Sequence, residues 1–128
     1  MRLVVQIPCY NEEKSIAETL RAIPSKIEGV DEIIKLVIDD GSTDKTERVA
    51  RENGASYVVT LKRNMGLAKA FQAGMSKSLD LGADVVVNTD GDNQYISSDI
   101  NKLIKPIIDG SSDFVIGCRP IKNHPEFS

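Results

Sequence analysis

Tryptophan is absent from this 128-residue chain and aromatic residues make up only 5% of it. That scarcity argues against an aromatic-lined carbohydrate platform or a base-stacking surface. Cysteine is nearly as rare. Cys9 and Cys118 lie far apart in no metal-binding spacing, so they read as reduced structural thiols of a cytoplasmic protein. The one histidine, His124, sits in a proline-containing tail that reads as loop. There is no excess of positive charge, the formal net charge being −3, which removes the electrostatic footprint of a nucleic-acid binder. No apolar run approaches the ~20 residues of a membrane span. Met1-Arg2 leads straight into a short apolar segment without a small-residue cleavage site, so no signal peptide is expected. Internal repeats, low-complexity tracts, linkers and a Gly-x-Gly-x-x-Gly loop are all missing.

What is present is a regular alternation of apolar runs and amphipathic segments. At 41% hydrophobic and 27% charged, the composition suits one globular domain over residues 1–128. Strands are expected at residues 3–7, 34–38, 57–59, 85–87 and 113–117, with Pro8 ending the first. Helices are expected between them. Asn11 is a candidate N-cap for the first, with Glu12 and Glu13 favoured by the dipole in its first turn. Ile16, Leu20 and Ile23 form its apolar face and Pro24 ends it. Ser42 or Thr43 caps the second, Val49 and Ala50 face inward, and Gly54 stops it. Leu67, Phe71, Met75 and Leu79 mark the third, ended by Gly82. A fourth, opened by Ser97 or Ser98, carries Ile100, Leu103, Ile104, Ile107 and Ile108. Short strands apolar on both faces, alternating with helices, imply an α/β layered fold with a largely parallel sheet.

Ligands of such folds bind beyond the carboxyl ends of the strands. Polar clusters follow four of the expected strands: Pro8-Cys9-Tyr10-Asn11-Glu12, Asp39-Asp40-Gly41-Ser42, Asp90-Gly91-Asp92-Asn93-Gln94, and Arg119. Asp90 and Asp92 stand one residue apart at a strand exit, where like charges repel. Two readings fit: an acidic Asp-Gly turn, or a Mg²⁺ or Mn²⁺ site that takes carboxylate oxygens and shares the ion with substrate phosphates. Asp39 and Asp40 form a second pair. Side chains alternate along a strand, so one carboxylate can enter a cleft and accept from a base or ribose. The pair also suits helix capping by the Asp-Gly-Ser-Thr-Asp turn, and both can hold, with Ser42 or Thr43 capping and Asp40 binding. Asp40 ranks ahead of Asp39 as the ligand contact. Tyr10 could lie along a nucleoside ring and Glu12 accept from its edge, although Glu12 equally suits dipole support. Lys62-Arg63-Asn64 before Gly66 reads either as solvated surface or as cations and free N–H groups at a helix start that meet phosphate.

In order along the chain, Ile7-Pro8-Cys9-Tyr10-Asn11-Glu12, Val37-Ile38-Asp39-Asp40-Gly41-Ser42-Thr43-Asp44, Arg63-Asn64-Met65-Gly66 and Asp90-Gly91-Asp92 resemble family 2 glycosyltransferases of the GT-A fold. Asp90-Gly91-Asp92-Asn93-Gln94-Tyr95 and Val115-Ile116-Gly117-Cys118-Arg119 are most similar to the dolichol-phosphate (polyprenyl-phosphate) mannose synthase branch. The resemblance covers nearly the whole chain. It implies a Rossmann-like three-layer α/β/α domain that binds a nucleotide-diphospho-sugar, a UDP- or GDP-sugar, and transfers the sugar with inversion. The acceptor would be a polyprenyl phosphate or another group. By the resemblance, Pro8, Tyr10, Glu12 and Asp40 line the nucleoside pocket, and Asp39, Asn64, Gly66, Lys69 and Gly91 complete the donor-binding set. Asp90 and Asp92 flank the divalent ion, Asp92 more directly, and Gln94 adds an oxygen. Arg119 lies near the phosphates, so Asp92 and Arg119 carry the catalytic role. The family's second half is expected beyond residue 128, so these residues alone read as a donor-binding part that binds without turnover. Self-association through an exposed edge is a further expectation, as is a place at the cytoplasmic face of a membrane.

Three other families with acidic strand ends fit less well. A haloacid-dehalogenase-type phosphatase has Thr or Val where Gln94 stands and carries its motif on the first strand. A response-regulator receiver needs a Lys-Pro after the fifth strand. A dinucleotide-binding domain needs the missing glycine loop.

Overall fold

The computed structural model describes residues 1–88 of the chain. Seven elements alternate through them: β1 (Arg2–Cys9), α1 (Ile16–Ala22), β2 (Glu32–Asp39), α2 (Thr46–Glu52), β3 (Tyr57–Thr60), α3 (Leu67–Asp80) and β4 (Val85–Asn88). The strands form one sheet in the order β3-β2-β1-β4, with every pairing parallel. From β1 the chain steps outward to β2 and β3, then crosses back to place β4 on the other side of β1. Right-handed crossovers therefore put α1 and α2 on one face and α3 on the other. The core clusters agree. Leu3, Val5, Ile7, Val37, Val85 and Val87 pack with Ile16, Leu20 and Ala50 of α1 and α2. Val4, Ile34, Leu36, Ile38 and Val86 pack with Ala70 of α3. Alternate residues of each strand thus feed opposite layers, as both-face-apolar strands require.

Four local expectations are corrected. Pro8 does not end β1; it stays in the strand opposite Ile38. Arg2 accepts from Asp84 on the β4 side, and Cys9 accepts from Asp40 on the β2 side, so the backbone groups of even-numbered β1 residues face β4. Pro8 lacks its N–H on that side, beyond Gln6 and Asn88, the last described pair, so it breaks no bond to β2. Asn11 is not an N-cap: α1 begins at Ile16 after Ser15. Neither Ser42 nor Thr43 caps α2, which starts at Thr46, whose N–H donates to Asp44 Oδ1 at 2.9 Å.

The fourth correction concerns the buried face of α3. Leu67 and Leu79 are 63% and 69% exposed, whereas Ala70, Gly74 and Ser78 are buried. Small residues win because the helix lies close against the sheet. A Cβ on Gly74 would sit 2.6 Å from Gln6 Nε2 and 2.9 Å from Ile38 Cδ1. Gln6 cannot yield. It is fully buried, accepts from Ser78 Oγ at 2.9 Å and donates to Asn88 Oδ1 at 3.2 Å. The expected helix ends do hold: Ile23, before Pro24, is extended, and Gly54 and Gly82 follow α2 and α3 with positive φ. The expected fourth helix and fifth strand, with Cys118 and His124, lie outside the described residues.

Gly74→Ala is expected to lower stability by about 1–3 kcal/mol through overpacking, read as a reduced urea midpoint. An unchanged midpoint would show that α3 can lift off the sheet without cost.

Candidate functional site

The carboxyl edge of the sheet gathers the first two polar clusters and the start of α3. A cleft of about 330 Å³ opens there, lined by Pro8, Cys9, Tyr10, Glu12, Asp40, Asn64, Gly66, Leu67 and Ala70. It lies beside β1, where the strand order reverses, the usual ligand position in an open α/β sheet. Five expected donor-site residues besides Asp40 therefore share one cavity: Pro8, Tyr10, Glu12, Asn64 and Gly66. Lys69 is exposed on the first turn of α3 and is not among the lining residues. Asp90, Gly91, Asp92, Gln94 and Arg119 lie outside the described residues. Among the described residues no group of three His, Cys, Asp or Glu side chains could hold a metal ion.

Asp39 and Asp40 separate as alternation requires. Asp39, 2% exposed, accepts from the Ser42 N–H at 2.9 Å and so closes the turn after β2. Asp40, 5% exposed, lines the cleft. Its Oδ1 accepts from the Met65 N–H at 2.7 Å. Its Oδ2 accepts from the Gly66 N–H at 3.0 Å and Asn64 Nδ2 at 3.3 Å. A carboxylate has about four acceptor sites, of which donors among the described residues take three. The anion also occupies the N–H groups leading into α3, where an anion is favoured. Backbone clearance makes this possible. A Cβ on Gly41, at φ +73°, would lie 2.1 Å from the Arg63 carbonyl carbon, so only glycine lets the loop pass. Gly66, at φ +98°, turns the chain into α3.

The loops after β1 and β2 are bound to each other. The Asn11 N–H donates to Ser42 Oγ at 2.8 Å, and Asn11 Oδ1 accepts from the Thr43 N–H at 2.8 Å and from Thr43 Oγ1 at 3.3 Å. The Glu12 N–H donates to Thr46 Oγ1 at 2.8 Å. Glu13 and Asp44 complete the join: the Glu13 N–H donates to Asp44 Oδ2 at 3.3 Å and the Lys45 N–H to Glu13 Oε2 at 3.2 Å. Burial raises the Asp44 pKa, but hydrogen bonds from the Thr46 hydroxyl and N–H and the Glu13 N–H outweigh it and hold the carboxyl below its ordinary 3.8. In the cleft lining, burial first and then the Asp39 carboxylate push the Cys9 thiol far above its ordinary range. Cys9 therefore stays protonated, its Sγ 3.7 Å from the Ile38 carbonyl oxygen, which fits a structural thiol.

Sequence reasoning missed Asp44 and Thr46 as supports of this edge, and Leu67 and Ala70 as lining. Asp44-Lys45-Thr46 carries an Asx-turn signal. The four-residue spacing of Gly66, Ala70, Gly74 and Ser78 marks a close-packed face that larger apolar neighbours concealed.

The model of the family described as Glycosyl transferase family 2 matches residues 4–128. The chain belongs to that family. Among curated relatives, it is 36% identical to the UDP-N-acetylglucosamine–dolichyl-phosphate N-acetylglucosaminyltransferase of Methanococcus voltae, over 94% of this chain and 53% of that protein. It is 34% identical to the dolichol-phosphate mannosyltransferase of Pyrococcus furiosus, over 95% of this chain and 34% of that protein. The chain thus spans about half or less of these relatives. Among solved structures, glucosyl-3-phosphoglycerate synthase from Mycobacterium tuberculosis, in complex with Mn²⁺, UDP and glucosyl-3-phosphoglycerate, superposes with a TM-score of 0.68 at 28% identity. That match covers 83% of this chain and 39% of that one. The four-stranded parallel sheet with its helices is the N-terminal part of a GT-A fold, and the chain is of the glycosyltransferase class.

Two outcomes test this geometry. Asp40→Asn sets an amide N–H₂ against backbone donors and is expected to cost about 2 kcal/mol, read by urea unfolding. Because the Asp44 pKa is lowered in the fold, its stabilising contribution is present above 3.8 and is lost as pH falls through the lower folded value. The urea midpoint should therefore drop as the pH falls below about 4, and the drop should be smaller in Asp44→Asn.

Proposed function

We propose that this glycosyltransferase uses a nucleoside-diphospho-sugar, a UDP- or GDP-sugar, as donor and a polyprenyl phosphate as acceptor, with inversion and with the help of a divalent cation. The observation that carries the donor reading is the makeup of the cleft. Its charged wall residues are acceptors, Glu12 and Asp40, beside the Tyr10 hydroxyl and the Asn64 amide; the Asn64 amide and the Met65 and Gly66 N–H groups already donate to Asp40. Such a cavity favours a neutral ligand rich in donors, a nucleobase with its ribose, over a phosphate. Tyr10, 42% exposed at the rim, offers its ring to the base, and the fourth acceptor site of Asp40 suits a ring N–H.

In this reading the diphosphate lies away from Asp40, toward the exit of β4, after which the sequence runs Thr89-Asp90-Gly91-Asp92. β4 is paired to β1 through Gln6 and Asn88, so that exit borders the strand whose end lines the cleft. Asp90, Asp92 and Gln94 would hold Mg²⁺ or Mn²⁺, hard cations suited to oxygen ligands. When bound, the ion offsets the negative charge that builds on the departing diphosphate. Arg119 would pair with phosphate oxygens. A phosphate acceptor is already ionised at neutral pH and attacks without a strong general base. Support for the ion comes from the M. tuberculosis synthase, crystallised with Mn²⁺ and UDP and also with Mg²⁺ and UDP. Support for the lipid phosphate comes from the two relatives named for dolichol phosphate.

Calorimetric titration with UDP and with GDP, each in Mn²⁺ and in chelator, tests the reading. Binding of one nucleotide is expected to weaken about 10- to 100-fold without metal, and equally in Asp92→Asn, with the fold intact. Unchanged affinity in both cases would overturn the cation assignment. Absence of binding to either nucleotide would overturn the donor assignment.

A further inference from the structure

Asn11 is the one non-glycine residue with positive φ, +51°, among the described residues. It stands between two residues that line the cleft, Tyr10 and Glu12. A left-handed conformation is unfavourable for a residue with a Cβ, and asparagine bears it better than most. Here it is held by three hydrogen bonds to the neighbouring loop: the main-chain N–H to Ser42 Oγ, and the side-chain oxygen from the Thr43 N–H and hydroxyl. Serving as a helix cap does not account for it, since α1 starts only at Ile16. Local strain maintained by surrounding bonds is characteristic of functional sites.

We infer that Asn11 is a positioning residue for the nucleoside end of the donor site: its left-handed turn, pinned to the loop after β2, sets where Tyr10 and Glu12 stand on the cleft wall. This rests on the donor reading above. Each part of the side chain has a separable job. The small, polar side chain tolerates the turn, and its Oδ1 fastens the turn to Thr43. Glycine keeps the first property and loses the second. Aspartate keeps both, because the atoms that meet Asn11 Oδ1 are donors.

The test uses UDP or GDP, whichever the wild-type chain binds more tightly, together with the matching free nucleoside, uridine or guanosine. Titrations run well below the thermal midpoint of every variant. Asn11→Gly is expected to bind nucleotide and nucleoside about tenfold more weakly, by the same factor for both. The dependence on Mn²⁺ should be unaltered, since the loss falls on the nucleoside end. Asn11→Asp is expected to restore affinity to within about twofold of the wild type. A purely structural role would lower the thermal midpoint of Asn11→Gly and leave both affinities unchanged, and that result overturns the inference. So does a loss confined to the metal-dependent part of binding. Failure of the wild type itself to bind UDP or GDP overturns the donor reading, and the inference falls with it.

Discussion

The carboxylate of Asp40 ties the end of β2 to the entrance of α3. Three N–H donors from residues 64–66 converge on it, and charge-assisted bonds of this kind are among the stronger ones a protein makes. The cleft depends on that join. One wall is β1 and its loop, the opposite wall is the start of α3, and Asp40 holds the second wall at its distance from the first. The approach is close enough that Gly41 must lack a side chain where the Arg63 backbone passes over it. A clearance problem and an electrostatic attraction are thus solved by adjacent residues.

The rest of the edge is preorganised by the same kind of bond. The loops after β1 and β2 interlock through Asn11, Glu12, Glu13, Ser42, Thr43, Asp44 and Thr46, so the cavity needs little ordering when it fills. Preorganisation of this sort reduces the entropy lost on binding. Below the edge, α3 is seated through the buried Ala70, Gly74 and Ser78, with Met75 partly buried against the same cluster and Leu67 and Leu79 exposed. That close seating brings the first turn of the helix to the cleft, where Gly66, Leu67 and Ala70 complete the lining. Within the walls the Asp40 carboxylate is met by the backbone N–H groups of Met65 and Gly66 and by the Asn64 amide.

Much of this was legible in the chain. The first four strand positions, the parallel sheet and the gathering of the first two polar clusters at one edge follow from short apolar runs between amphipathic segments, with Pro24, Gly54 and Gly82 as stops. These are local signals, decided by a few neighbouring residues. The buried face of α3 was not legible. Leu67, Phe71, Met75 and Leu79 repeat every four residues as a core stripe does, yet Ala70, Gly74 and Ser78 repeat with the same spacing. Periodicity cannot separate two such stripes; the available space above Gln6 and Ile38 does. The cap positions failed for a related reason. Asn11, Ser42 and Thr43 carry capping groups, but their best partners lie in one another's loops, more than thirty positions apart in sequence.

By itself, then, the sequence determined the order of strands and helices through the described residues, the edge where the first two polar clusters meet, and, through its ordered motifs, the glycosyltransferase family. The ranking of Asp40 over Asp39 was also legible; tertiary structure alone decided that Asp40 already binds the start of α3, and that Asn11 fastens two loops. Alternation and stop signals act within a few residues and can be read directly. Hydrogen-bond partners at the cleft are chosen by which loops the sheet brings together, and only the folded chain sets those distances.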